Sequence, residues 1–144
     1  MAEEYRRKVL VLCTRNSSRS IIAEALINHE LGDKWIAYSA GVKPSPVNPR
    51  ALQVLAEIGV KPANLESKHV DEFIERDDLD LVITVCDHAK ETCPVFLKPV
   101  KRVHLGFEDP APYSDLSDEA ALPKFREVRD IIRQEIINYL KSLG

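Results

Sequence analysis

The sequence predicts an α/β fold, a three-layer sandwich in which a four-stranded, mainly parallel sheet is flanked by helices. Segments with strand and helix patterns alternate along the chain, which is typical of parallel strands connected by helices. The two clearest strand segments, residues 8–12 and 79–85, are mostly apolar, as expected for strands that are buried on both faces. Ligands are expected beyond the carboxyl ends of such strands.

The first third of the chain contains two strands and one helix. Residues 8–12 form the first strand, and a polar turn over residues 13–18 separates it from a helix over residues 20–31. A second strand is predicted over residues 35–39. The apolar residues of the helix that can face inward are Ile21, Ile22, Ala25, Leu26 and Leu31.

Three prolines make residues 42–50 a loop, and a second helix follows it. Asn48 is its predicted cap and Pro49 its first residue, a position that suits the fixed φ of proline. This helix is expected to bury Leu52, Leu55 and Ile58 and to end at Gly59.

The rest of the chain is predicted to contain a short helix over residues 71–76, strands over 79–85 and 100–104, and a long helix over 117–143. In the long helix, apolar residues recur at steps of three and four and form one stripe. The stripe consists of Leu122, Phe125, Val128, Ile132, Ile136 and Tyr139.

The bulk properties exclude several functional classes. The 144 residues are expected to form one domain over 1–144. A net charge of −3 gives no reason to expect nucleic-acid binding. No apolar run is long enough for a signal peptide core or a membrane helix, so a cytoplasmic protein without membrane contact is expected. In the cytoplasm, the three cysteines indicate thiol chemistry or metal binding rather than permanent disulfides.

The segment from Cys13 to Ser20 reads CTRNSSRS and connects the first strand to the first helix. A tight loop at a helix N-terminus directs several backbone N–H groups at one spot, which binds tetrahedral oxyanions. Arg19 can hold two oxygens at once, and the positive field together with Ser20 favours the nucleophilic thiolate of Cys13. Asn16 tolerates the left-handed backbone that such a loop needs. The remaining loop residues are Thr14, Arg15, Ser17 and Ser18. The alternative is a buried cysteine beside an exposed arginine.

Cys86 follows the strand over 79–85, and Cys93 lies seven residues later. A reductase must supply two electrons, which two thiols provide when they form a disulfide, whereas a phosphatase needs one thiol and returns it unchanged. Three other interpretations stay open. The two cysteines can be core residues, metal ligands together with His88, or a regulatory switch on a phosphatase.

Asp109 precedes Pro110 after the fourth predicted strand. An aspartate on a loop above an anion site can protonate a leaving oxygen. The other interpretation is that Asp-Pro only marks a turn.

These motifs resemble the low-molecular-weight tyrosine phosphatase superfamily, whose hallmark is Cys-x5-Arg-Ser near the N-terminus, and within it the thioredoxin-coupled arsenate reductases. The likeness includes Ala23-Glu24 and Ser39-Ala40-Gly41 and covers nearly the whole chain. The loop departs from the usual reductase pattern at Arg15, where glycine is usual, and at Ser18, where a second cysteine is usual.

The resemblance implies reduction of arsenate to arsenite by a relay of Cys13, Cys86 and Cys93, with Arg19 binding the anion and Asp109 as the general acid. It implies thioredoxin as the final reductant, with glutaredoxin and glutathione as the alternative, and we expect a monomer. A low-molecular-weight phosphatase that hydrolyses phosphate monoesters is the alternative function, and a non-catalytic module that binds anions is a third.

No cofactor is expected, apart from a potassium ion that some reductases of this family bind near the loop. Asn16, Glu24 and Ser39 match positions implicated in that site, but its other ligands do not align around residues 68–71.

Overall fold

The computed structural model describes residues 6–61, 65–86, 96, 100–110, 112–113 and 116–143. Its strands are β1 (Arg7–Cys13), β2 (Trp35–Gly41), β3 (Leu81–Thr84) and β4 (Lys101–His104). Its helices are α1 (Arg19–Leu31), α2 (Pro49–Glu57) and α3 (Asp118–Ser142), and a short 3₁₀ helix spans Val70–Glu72. The predicted α/β class and the order of its main elements are confirmed.

The four strands form one sheet in the order β2-β1-β3-β4, and every neighbouring pair is parallel. The sheet that the sequence predicts as mainly parallel is therefore parallel throughout its described strands. Strand β2 lies on one side of β1, and β3 lies on the other side. The direction in which strands are added to the sheet therefore reverses between β1 and β3. Ligands bind at such a reversal, beyond the carboxyl ends of the two strands.

The core forms where the helices cover the sheet. Helix α1 packs on β1 and β2, α3 packs on α1, and α2 contacts both helices. The central residues of β1 are completely buried, as an apolar strand in the middle of a parallel sheet requires. All five residues predicted to face inward on α1 are buried. Each buried leucine or isoleucine contributes about 1.5–3 kcal/mol to stability.

The predicted inward face of α2 is partly wrong. Leu55 is buried as expected, but Leu52 and Ile58 are only half-buried, and Ala51 and Val54 are buried instead. Val54 packs with Phe125 of α3 in a second, smaller apolar cluster, so the position of α3 decides which face of α2 turns inward. The predicted ends hold, because Asn48 accepts a hydrogen bond from the Arg50 N–H, and the chain turns at Gly59 with a φ of 81°.

Three other boundaries or faces differ from the prediction. The helix expected over 71–76 is a 3₁₀ helix over Val70–Glu72, because the His69 side chain caps it one residue earlier. Strand β3 is shorter than residues 79–85, although single hydrogen bonds from the N–H groups of Asp80 and Val85 to β1 extend the pairing at both ends. In α3, Tyr139 is half-buried, and Ile137 and Leu140 fill the core in its place.

Cys93 and His88 lie outside the described residues, as do residues 62–64. Among the helices that the structure describes, none combines the length and the apolar character that crossing a membrane requires.

Candidate active site

The candidate site lies where β1 ends and α1 begins. Cys13 is the last residue of β1 and is 2% exposed, and residues 14–18 carry the chain from it to Arg19, the first residue of α1. The loop makes its tightest turn at Asn16, whose φ is 53°. This left-handed backbone is one that asparagine adopts more readily than most residues.

Hydrogen-bond donors surround the thiol of Cys13. The backbone N–H of Asn16 donates to Cys13 Sγ over 3.1 Å, and Ser20 Oγ lies 2.9 Å from the same sulfur. The side-chain amide of Asn16 donates to Ser20 Oγ over 2.7 Å. Because Ser20 Oγ already accepts that hydrogen bond, its own O–H is available to donate to the sulfur. Two donors are thus aimed at the sulfur that would attack a bound electrophile.

The proline-rich segment after β2 fixes the direction of the loop's peptide groups. The N–H groups of Lys43, Ser45 and Asn48 donate to the carbonyls of Thr14, Arg15 and Ser17, with N···O distances of 2.8, 3.0 and 3.0 Å. In a planar trans peptide the carbonyl and the following N–H point in opposite directions. With these carbonyls held on the outside, the following N–H groups turn inward, as that of Asn16 does. The sequence gives this segment no visible role beyond that of a loop.

A cavity of about 410 Å³ opens above the thiol. Its lining contains two guanidinium groups and one carboxylate, a composition suited to a small oxyanion that gains or loses a proton. The lining residues are Cys13, Thr14, Arg15, Ser17, Ser18, Arg19, Asp109 and Pro112. Ser18 Oγ is buried and has no hydrogen-bond partner within the described part of the chain.

Arg19 and Asp109 face each other across this cavity. Arg19 Nη2 lies 3.4 Å from Asp109 Oδ2, and Arg19 Nη1 donates to the Phe107 carbonyl over 3.2 Å. The arginine side chain is mostly buried, whereas that of Asp109 is 44% exposed. The structure thus brings together the predicted anion-binding arginine and the predicted general acid, with the carboxylate on the open side.

Cys86 lies at the same end of the sheet, two residues after β3. Its Sγ is 3.2 Å from Thr14 Oγ1, and Thr14 is the residue next to Cys13. Cys86 is 7% exposed, so its side chain is buried like that of Cys13. Both cysteines directly follow predicted parallel strands, which predicts that they face the same pocket. The structure places Cys86 beside the residue next to Cys13, although 72 residues separate the two contact partners.

Behind the loop lies a polar group that sequence reasoning identified only in part. Lys68 connects the residues that the resemblance names. Its backbone N–H donates to the Asn16 side chain, and its ammonium lies 3.8 Å from Glu24, which also accepts a hydrogen bond from Ser39. Burial raises the pKa of Glu24, while a hydrogen bond from Ser39 and the charge of Lys68 oppose that rise. The sequence gives one hint of this difference. Residues 68–71 do not align with the remaining potassium ligands of the family, and Lys68 lies in that segment.

Comparisons with known proteins agree with this geometry. The sequence matches the low molecular weight phosphotyrosine protein phosphatase family over residues 8–144. It is 41% identical over 133 residues to an arsenate reductase of Bacillus cereus (strain 03BB102), an alignment that covers 92% of this chain and 93% of the relative.

Two solved structures are similar. One is an arsenate reductase in its phosphate-binding state, with a TM-score of 0.73 and 29% identity, covering 96% of this chain and 99% of that one. The other is a thioredoxin-dependent arsenate reductase from Corynebacterium glutamicum, with a TM-score of 0.70 and 29% identity, covering 98% of this chain and 63% of that one. The chain therefore belongs to the low molecular weight phosphotyrosine protein phosphatase family and, within it, to the arsenate reductases.

Proposed function

We propose that this protein reduces arsenate to arsenite through a relay of Cys13, Cys86 and Cys93, and that thioredoxin reduces the last disulfide. The observation that carries the proposal is the 3.2 Å contact between Cys86 Sγ and Thr14 Oγ1, beside Cys13. Phosphate-ester hydrolysis needs no second thiol, whereas a reductase requires one within reach of the first.

In the first step, arsenate enters the loop and is held by backbone N–H groups and by Arg19. The arginine is already oriented by the Phe107 carbonyl and exchanges its contact with Asp109 for contacts with the anion. The Cys13 thiolate attacks arsenic and an As–O bond breaks. Asp109 donates the proton with which that oxygen leaves as water.

In the second step, the Cys86 thiolate attacks Cys13 Sγ, and the S–As bond breaks with its electron pair staying on arsenic. Arsenic is thereby reduced from the +5 to the +3 state and leaves as arsenite, and a Cys13–Cys86 disulfide forms. The Thr14 hydroxyl, 3.2 Å from Cys86 Sγ, can donate a hydrogen bond to this sulfur during the attack.

In the third step, Cys93 attacks Cys86 and frees Cys13 for the next turnover. A dithiol protein then reduces the Cys86–Cys93 disulfide by thiol–disulfide exchange. The thioredoxin dependence of the similar Corynebacterium glutamicum reductase supports thioredoxin as that protein. We place the reaction in the cytoplasm, where thiols are kept reduced, and we expect the protein to act as a monomer.

A phosphatase acting on phosphate monoesters is the second candidate. Cys13, Arg19 and Asp109 are all that phosphoryl transfer through a cysteine would need, and a similar reductase has been solved in a phosphate-binding state. In this case Cys86 and Cys93 are bystanders or protect Cys13 from oxidation.

The decisive experiment follows NADPH consumption with arsenate, thioredoxin and thioredoxin reductase. Wild type, Cys86→Ser and Cys93→Ser are compared, with Cys13→Ser as the inactive control. The relay requires consumption by wild type and near-complete loss in all three variants. Full rates in Cys86→Ser and Cys93→Ser would rule the relay out.

The same preparations are tested for hydrolysis of p-nitrophenyl phosphate. Turnover that depends on Cys13 alone, together with no arsenate reduction, would favour the phosphatase. Replacing thioredoxin with glutaredoxin and glutathione in the first assay identifies the electron donor. Turnover in neither assay would leave an anion-binding module.

A further inference from the structure

Four side chains form a mostly buried ionic group behind the anion loop, and we call it the Lys68 cluster: Asn16, Glu24, Ser39 and Lys68. Lys68 Nζ lies 3.8 Å from Glu24 Oε1, and the two side chains are only 16% and 13% exposed. The same ammonium donates to the Glu66 carbonyl over 2.9 Å, and Ser39 Oγ donates to Glu24 Oε1. One carboxylate and one ammonium thus face each other within this cluster.

The residues do not fit the potassium ion that the family resemblance implies at this place. Hard cations need oxygen atoms with free lone pairs and a net negative charge. Here the side-chain oxygen of Asn16 uses one of its two lone pairs on the backbone N–H of Lys68 over 2.8 Å, and Glu24 is the one carboxylate among the four residues of the Lys68 cluster. The ammonium offsets the charge of Glu24, so a second cation would meet a neutral pair and only the remoter carboxylate of Glu66, and would find little net attraction.

We propose that the Lys68 ammonium takes the place of a monovalent cation and acts as a built-in counter-ion that holds the anion loop. Lys68 is thus a positioning residue, and its ammonium supplies the positive charge beside Glu24 that a bound potassium ion would otherwise supply. The protein should therefore be indifferent to potassium. The inference depends only on the loop as an oxyanion site, so it holds whether the protein reduces arsenate or hydrolyses phosphate esters.

The backbone of Lys68 connects this residue to Asn16, and through Asn16 to the thiol of Cys13. The Lys68 side chain forms an ion pair with Glu24 on α1. Its main-chain carbonyl accepts a hydrogen bond from the Gly41 N–H at the end of β2, over 2.8 Å. In this position the Lys68 N–H holds the side chain of Asn16. Asn16 in turn donates to both Cys13 Sγ and Ser20 Oγ. Losing the ammonium would loosen the residue on which the geometry of the loop depends.

The first test uses the unmodified protein. Thermal unfolding is measured at equal ionic strength in potassium chloride, sodium chloride and choline chloride, the last of which supplies a cation too large for the site. We expect the wild-type Tm to differ by no more than about 1 °C among the three, well below the shift that 1 kcal/mol would produce. A wild-type Tm several degrees higher in potassium chloride than in choline chloride would overturn the proposal.

The second test removes the charge. Lys68→Gln keeps a long polar side chain but leaves Glu24 without its counter-ion, so potassium should now raise its Tm over the value in choline chloride. In choline chloride, its Kd for inorganic phosphate, measured by titration calorimetry, should rise about tenfold, equivalent to about 1.4 kcal/mol. Potassium chloride should restore part of that loss.

Two further variants control for size and for general effects of losing a lysine. Lys68→Arg keeps a cation and should bind phosphate like wild type in every salt. Lys34→Gln makes the same exchange at an exposed lysine before β2, at the opposite end of the sheet from the loop, and should change neither readout. Equal phosphate affinity of Lys68→Gln and wild type in choline chloride would refute the positioning role. Phosphate binding requires no arsenate reduction, so this result is independent of whether the proposed function holds.

Discussion

Gly41 is the position at which one methyl group should do the most damage to the candidate site. It is the last residue of β2 and lies opposite Cys13 in the sheet. A Cβ added there would meet the Thr14 carbonyl oxygen at 2.7 Å and the main chain of Arg15 and Asn16 at 2.9 Å. All three neighbours are backbone atoms of the anion loop, so a side-chain rotation cannot relieve the clash.

The size of the effect follows from these distances. A carbon atom normally lies about 3.3–3.6 Å from a carbonyl oxygen, so the loop in Gly41→Ala must move by roughly 0.6–0.9 Å. Overpacking of this kind costs about 1–3 kcal/mol of stability. A misplacement of about 1 Å costs on the order of 100-fold in rate. We therefore expect kcat/KM for arsenate to fall roughly ten- to hundredfold and phosphate binding to weaken.

Gly59→Ala is the matched control, since it also replaces glycine with alanine but lies away from the loop. A Cβ at Gly59 has nothing within 4 Å, yet its φ of 81° strains any residue other than glycine. Denaturant unfolding should show both variants destabilised, by about 1–2 kcal/mol for Gly59→Ala. Only Gly41→Ala should lose phosphate affinity in calorimetry and arsenate reduction in the NADPH-coupled assay. Wild-type affinity and rate in Gly41→Ala, or an equal loss in Gly59→Ala, would refute the steric reasoning.

Four other substitutions test separate parts of the site and fold. Thr14→Val removes the hydroxyl 3.2 Å from Cys86 Sγ, so arsenate reduction should fall about tenfold or more while phosphate affinity stays unchanged. Arg15→Gly removes an exposed guanidinium from the pocket rim, so KM for arsenate should rise severalfold at low salt and less at high salt. Ser18→Ala removes a buried hydroxyl that has no partner among the described residues, and should raise the free energy of unfolding by about 1 kcal/mol and Tm by about 2–4 °C. A hydrogen bond from Arg126 lowers the pKa of Glu57 from its ordinary value, so the wild-type advantage in Tm over Glu57→Gln should be complete above the ordinary pKa and be lost as pH falls through the lowered one.

Each of these expectations has a contrary result. Equal loss of phosphate affinity and reduction in Thr14→Val would mean that the hydroxyl supports the loop rather than Cys86. A salt-independent KM ratio for Arg15→Gly would exclude long-range attraction. A lower Tm for Ser18→Ala would show that the hydroxyl has a stabilising partner. A stability difference for Glu57→Gln that does not shrink as the solution is made more acidic would show that packing, and not the charge, is responsible.

The sequence predicts the sheet and the anion loop well because their signals are local. An uninterrupted apolar run is sufficient to define β1, and a Cys-x5-Arg spacing between a strand and a helix is sufficient to define the loop. The predicted α2 face fails for the opposite reason. Nine residues give little periodicity, and contact with Phe125 of α3 selects Val54 over Leu52.

The same limit applies to the groups that support the site. Asn16 and Lys68 are 52 residues apart, and nothing in the composition of either segment indicates that the backbone of one holds the side chain of the other. The segment after β2 is similar, since its prolines predict a loop but not the N–H groups with which it binds the carbonyls of residues 14–17. Such contacts arise from the topology, which brings the ends of three parallel strands to one place.

One pocket can serve both arsenate reduction and phosphate-ester hydrolysis. The bound substrate then decides which of the two reactions can go to completion. Attack by Cys13 on a bound oxyanion produces an adduct on sulfur in either case, with Arg19 and Asp109 in the same roles. For a phosphoryl adduct, attack by Cys86 on Cys13 leads nowhere, because phosphorus does not accept the electron pair, and only water can release it. For an arsenate adduct, arsenic does accept the pair, so attack by a thiol of the same chain can complete the reaction. Well-oriented groups within one molecule reach effective concentrations of about 10⁵–10⁸ M, far above that of water. The position of Cys86 against Thr14 therefore adds arsenate reduction without removing the chemistry of the loop, so Cys86→Ser should keep whatever phosphate-ester hydrolysis the wild type has.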